Sequence, residues 1–195
     1  MSRRARDGIP LLLTALRAAL GPVVVAMSLV APSRLAFGAC LVIAFLSDVF
    51  DGIIARRLGI ATPALRRLDS IADTVFYVGA TFAVWQLFPS AITDRWLALS
   101  VLVGLEGVRY MFDWVKFRRE ASYHMWSSKL WGIALFAGFF SLLAMGQGGV
   151  MVDAAVYVGI VADLEGLAIS VVMRTWQSDI PSLVHVFRLR NLGRN

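Results

Sequence analysis

One cysteine, Cys40, and two histidines are all that 195 residues hold of the softer metal-binding side chains. A lone cysteine excludes an internal disulfide and a cysteine-based zinc site. His124 and His185 have no Cys or His neighbour, so a zinc ligand set has no support. Charge is scarce too: Asp, Glu, Lys and Arg make up 16% of the chain against 58% hydrophobic residues, and mean hydropathy is +0.71. Such a balance excludes an ordinary soluble globule and indicates one polytopic membrane domain. No soluble domain, linker, low-complexity tract or repeat is evident.

A spanning helix needs about 20 apolar residues. Six such segments can be read, over 9–30, 35–56, 66–88, 93–114, 128–147 and 152–173. The expected fold is therefore all-α, with six transmembrane helices in 1–173 and a basic amphipathic tail over 174–195. Pro32, Pro89 and the glycines between 146 and 149 punctuate the turns. Arg17 inside the first apolar run argues against a signal peptide. In the tail, Ile180, Leu183, Val184 and Phe187 form an apolar face beside Arg188 and Arg190, which reads as an interfacial helix rather than a site. Trp96, Trp114, Trp126 and Trp176 fall near expected interfaces.

The net charge of +6 suggests nucleic acid until its distribution is followed. Basic residues collect at Arg3, Arg4 and Arg6, at Arg56, Arg57, Arg66 and Arg67, at Lys116, Arg118, Arg119 and Lys129, and in the tail. The alternate turns hold Arg34, Arg95 and, over 146–153, no basic residue. Under the positive-inside rule this pattern puts both termini in the cytoplasm and makes membrane lipid, not nucleic acid, the expected partner.

Against so apolar a background, four acids stand out: Asp48 and Asp51, then Asp69 and Asp73. Carboxylates in or near hydrocarbon are costly and are rarely kept without a function. On a helix, Asp48, Asp51, Gly52 and Ala55 fall within roughly a third of a turn of one another, and Asp69 and Asp73 share a face. Gly52 and Ala55 leave room for a ligand to approach the backbone, or serve as small packing residues between helices. Four convergent carboxylates suit a hard divalent cation such as Mg²⁺ or Mn²⁺. The basic turns place all four at the cytoplasmic ends of the second and third spans, in a polar cavity.

The order D-x2-D-G-x2-A-R-x8-G-x3-D-x3-D resembles the signature of the CDP-alcohol phosphotransferase (CDP-alcohol phosphatidyltransferase) family, integral membrane enzymes that make phospholipids. Asp48, Asp51, Gly52, Ala55, Arg56, Asp69 and Asp73 match it, and Leu65 stands where the family usually has Gly. Ile9-Pro10, Thr14 and Arg17 look like the family's first helix. The resemblance implies transfer of a substituted phosphate from a CDP-linked donor, most often CDP-diacylglycerol, to an alcohol, with release of CMP. It implies Asp48, Asp51 and Asp69 as ligands of two Mg²⁺ or Mn²⁺ ions, with Asp73 as the base and a further ligand. Asp48, Gly52, Ala55, Arg56 and Asp69 would bind the CDP moiety, Arg56 meeting the diphosphate or pairing with an acid of the cluster. A homodimer is implied as well. The rival reading is a non-catalytic helix bundle or inactive relative, for which Leu65 is the best argument.

Other charged residues are more open. Arg17 either snorkels or faces the polar cavity, and its depth favours the cavity. Glu106, Arg109 and Asp113 form a self-neutralised stripe, or Arg109 meets a phosphate on the acceptor. Lys129, in a segment from Ser122 to Gly132 that resembles one opening the family's fifth helix, is the better acceptor candidate. His124 reads as a loop or interfacial residue. Asp163 and Glu165, two apart, cannot share a face, and the sequence does not say which turns inward. The Asp69-Ser70-Ile71-Ala72-Asp73-Thr74 segment does not choose among glycerol 3-phosphate, an inositol phosphate and serine as acceptor.

Overall fold

The computed structural model describes residues 3–60, 62–118, 125–173, 175 and 180–192. Ser122, Tyr123, His124, Arg119, Arg174, Trp176 and Arg194 lie outside the described residues. Among the described residues eight helices follow in order: α1 (Arg3–Val30), α2 (Arg34–Leu58), α3 (Pro63–Leu87), α4 (Pro89–Thr93), α5 (Trp96–Phe117), α6 (Trp126–Leu143), α7 (Val150–Val172) and α8 (Leu183–Leu192). No strand occurs among the described residues.

Each apolar segment falls on one long helix, though several ends shift: α1 already begins at Arg3, α3 begins at Pro63 and α5 runs on to Phe117. The fourth begins only at Trp96, because Pro89 opens the short separate helix α4. The fifth stops at Leu143, where the chain turns through Gly146 and Gly149, both with positive φ. Gly tolerates that conformation without a Cβ clash, and the Ser141 hydroxyl closes the turn by donating to the Gln147 carbonyl at 2.7 Å. Among the described residues, four helices are long and apolar enough to cross a membrane: Gly8–Val30, Arg34–Leu58, Trp126–Leu143 and Val150–Val172. α3 and α5 match them in length but each carries four charged residues: Arg66, Arg67, Asp69 and Asp73 on α3, and Glu106, Arg109, Asp113 and Lys116 on α5.

Two compact units emerge: 1–92 with 139–147, and 93–138 with 148–195. In the first, α1 packs against both α2 and α3, which meet chiefly through it. The α1–α3 seam is close because two glycines face it. A Cβ on Gly21 would lie 2.7 Å from the Val75 carbonyl oxygen, and one on Gly79 would lie 2.6 Å from the Gly21 carbonyl oxygen. Small residues at such a seam let backbones approach where apolar burial gives helices no reason to associate in lipid. Val24, Phe37, Leu41, Phe76 and Ala80 fill the interior around it. The helix ends are conventional. Ser33 caps α2, Gly59 ends it in the left-handed conformation at φ 67°, and Thr62 caps α3 ahead of Pro63.

In the second unit α5 and α7 run parallel, tied at both ends. Arg95 Nε donates to Asp153 Oδ1 at 2.6 Å near their N-termini. Lys116 Nζ donates to the Ser170 and Val171 carbonyls at 2.8 and 3.0 Å near their C-termini, satisfying groups that a helix end leaves unpaired. Ile180 and Val186 of the tail are buried with Met125, Ile169 and Met173, whereas Val184 and Phe187 stay exposed. The tail's apolar residues are thus divided between packing and an outer face.

Candidate active site

The four aspartates reach one place because α1 lies between the helices that carry them. Asp48 and Asp51 come from the last turns of α2, Asp69 and Asp73 from the first turns of α3. Arg17, one turn before the Gly21 contact, projects its guanidinium among all four. Nη1 pairs with Asp48 Oδ1 and, at 2.7 Å, with Asp73 Oδ1. Nη2 pairs with Asp69 Oδ1 and, at 2.9 Å, with Asp51 Oδ2. Each terminal nitrogen therefore bridges one carboxylate of α2 and one of α3. Thr14, a turn earlier on the same face of α1, donates to Asp51 Oδ2 at 3.3 Å.

Burial divides the cluster. Arg17 is 1% exposed and Asp51 4%, while the side chains of Asp48, Asp69 and Asp73 are 45%, 36% and 38% exposed. One carboxylate and the guanidinium thus form the floor, and three carboxylates open outward. Carboxylate oxygens of Asp48, Asp51 and Asp69 lie within 4.8 Å of one another. Asp73 joins the cluster through Arg17 but stands outside that trio. Hard oxygen donors converging at this spacing fit a small divalent cation.

Of the remaining motif residues, Ala55 is buried and Gly52 half-buried. A Cβ on Gly52 would stand 3.3 Å from Arg56 Nη1, so the absence of a side chain there leaves space for the exposed Arg56 guanidinium to fold back over α2. Leu65 donates its backbone N–H to the Thr62 hydroxyl at 3.2 Å, which puts it inside the first turn of α3.

The two acceptor candidates belong to the second unit. Lys129 is exposed, its Nζ 4.4 Å above the Trp126 ring. Arg109 pairs through Nη1 with Asp163 Oδ1 at 3.0 Å, and Gly166 makes room for it, since a Cβ there would lie 3.0 Å from the Arg109 side chain. The choice between Asp163 and Glu165 is resolved: Asp163 is fully buried on Arg109, and Glu165 accepts the Leu183 N–H at the start of α8. Helical spacing shows who shares a face within α5, but a partner on α7, far along the chain, leaves no such signal.

Fold and site together define a helical membrane protein built around a cluster of four carboxylates and one arginine on three packed helices. The family model for CDP-alcohol phosphatidyltransferases matches residues 8–164, which include Arg17 and all four aspartates, and the chain belongs to this family of transferases. No curated protein and no solved structure matches it.

Proposed function

We propose that the protein transfers a phosphatidyl group from CDP-diacylglycerol to a small alcohol, releasing CMP, in phospholipid synthesis. The observation that carries this reading is a charge imbalance. Counted as ionised, four carboxylates around one guanidinium leave three negative charges uncompensated, on oxygens that suit Mg²⁺ or Mn²⁺. Asp48, Asp51 and Asp69 would hold the metal, with Asp73 able to join them. When bound, the ions neutralise the donor's diphosphate and stabilise CMP as it leaves.

Asp73 takes the proton from the acceptor hydroxyl. That oxygen bonds to the phosphatidyl phosphorus, and the bond to CMP breaks, its electron pair leaving with CMP. Gly52 and Ala55 admit the cytidine diphosphate beside Asp48 and Asp69, and Arg56 meets its phosphates. On the acceptor side, Arg109 and Lys129 bind a phosphate or carboxylate; the pair with Asp163 uses one of the three Arg109 nitrogens. Purified protein should release CMP from CDP-diacylglycerol only with Mg²⁺ or Mn²⁺ and an acceptor, and labelled donor with a mass-spectrometric acceptor screen identifies the alcohol. No release with any acceptor would leave a non-catalytic bundle as the reading.

Six spans, a homodimer and a cytoplasmic site belong to the same proposal. The alternating basic turns support the orientation. Cysteine introduced in place of Ile92 should be labelled from outside, and in place of Ala61 from inside; the reverse would put the site on the wrong face. Leu65→Gly should leave activity within about tenfold, about 1.4 kcal/mol in barrier, because Leu65 occupies a capped helical turn that a small shift can open. A far larger gain in activity would mean that the native side chain blocks the nucleotide.

A further inference from the structure

We propose that Arg17 is an exchangeable counter-ion: its guanidinium clasps the four aspartates, yields their oxygens to divalent cations, and then serves the donor's diphosphate. The inference rests on the metal-dependent reading above and concerns how the same site is loaded. A guanidinium and a metal ion draw on the same carboxylate lone pairs. Arg17 uses one oxygen of each aspartate, including all three residues of the trio suited to a cation. Its attraction to them therefore opposes metal binding.

What makes it exchangeable is the rest of its geometry. Nη1 and Nη2 are committed to the carboxylates, but Nε is buried without a hydrogen-bond partner. The hold on the guanidinium is thus by its two ends alone, and a planar fork with an unused donor matches two phosphate oxygens as well as two carboxylates. The charge count runs the same way. Four carboxylates and Arg17 sum to −3, and two divalent ions bring the site to +1, which an anionic diphosphate then meets. With its aspartates occupied, Arg17 is left as a positive charge on the floor of the site, available to the oxygens of the diphosphate. Metal and donor then load in order, since the donor's Arg17 contact appears only after the clasp opens.

The test measures Mn²⁺ binding to the full chain in detergent, by calorimetry or electron paramagnetic resonance, without donor, followed by CDP binding at saturating Mn²⁺. Arg17→Gln should bind Mn²⁺ at least about tenfold more tightly than the native chain and bind CDP at least about tenfold more weakly. Arg17→Lys, which keeps the charge but loses the fork, should move both affinities in the same directions by less, and it decides the matter alone if the Gln variant does not fold. Opposite signs for the two ligands separate this role from a purely structural one, which would weaken both. Unchanged or weaker Mn²⁺ binding in the folded variants overturns the clasp while leaving the metal site standing. Mn²⁺ binding by neither native nor variant protein overturns the metal reading, and the clasp with it.

Discussion

Asp73→Asn is expected to lower CMP release by about 10²–10⁴-fold, the usual loss for a general base, while retaining measurable binding of the CDP donor. The structure gives the separation its basis. Asp48, Asp51 and Asp69 bring oxygens within 4.8 Å of one another without Asp73, so the trio proposed to hold the metal survives its loss. Asp73, 38% exposed, stands at the open side of the cluster, where an acceptor hydroxyl has access. Asp48→Asn removes charge from the trio itself, so metal and donor binding should weaken together. Donor affinity by calorimetry, set beside turnover on protein shown to be folded, distinguishes the two. Near-native turnover of Asp73→Asn would remove the base assignment; loss of donor binding as complete as in Asp48→Asn would make Asp73 chiefly a ligand.

A single methyl group on α3 should be nearly as damaging. Gly79→Ala places a Cβ 2.6 Å from the Gly21 carbonyl oxygen, and the next nearest atoms, at 3.0 and 3.1 Å, are also Gly21 backbone. No side chain can rotate away, so α1 must move off α3. Overpacking of this kind costs typically about 1–3 kcal/mol. The displacement also carries Arg17, one turn from Gly21, away from Asp69 and Asp73, so Mn²⁺ and CDP affinities should change along with the thermal midpoint in detergent. Gly104→Ala is the control: nothing lies within 4 Å of its Cβ position, and replacing an open helical Gly should be neutral or stabilising. Equal stability of the two variants would show that the seam is not what holds α1 in place.

The family and the four carboxylates were legible without coordinates, for physical reasons. Charges are so expensive in an apolar chain that each retained one is conspicuous, and a helix's fixed rotation per residue turns spacing into a shared face. Asp48 with Asp51, and Asp69 with Asp73, could be paired on that ground alone. The long helices followed from hydropathy in the same way, but their ends did not: α1 and α3 begin ahead of the apolar runs, at Arg3 and Pro63, and at Pro89 and the Gly146–Gly149 turn local chemistry starts one helix later and ends another earlier than apolarity suggests. Arg17 was visible as a buried charge, but not as the clasp, because it lies 31 to 52 residues from Asp48, Asp51 and Asp69. Helical phase tells which side chains share a face, not which helix that face will meet. That choice was made by the Gly21–Gly79 seam, which sets α1 against α3, and by the packing of α2 on the same helix. Asp163 shows the same limit: only contact between α5 and α7 decided that it, and not Glu165, would turn toward Arg109. Residue chemistry and spacing determined what the site is made of; close packing among distant segments determined which charge stands at its centre.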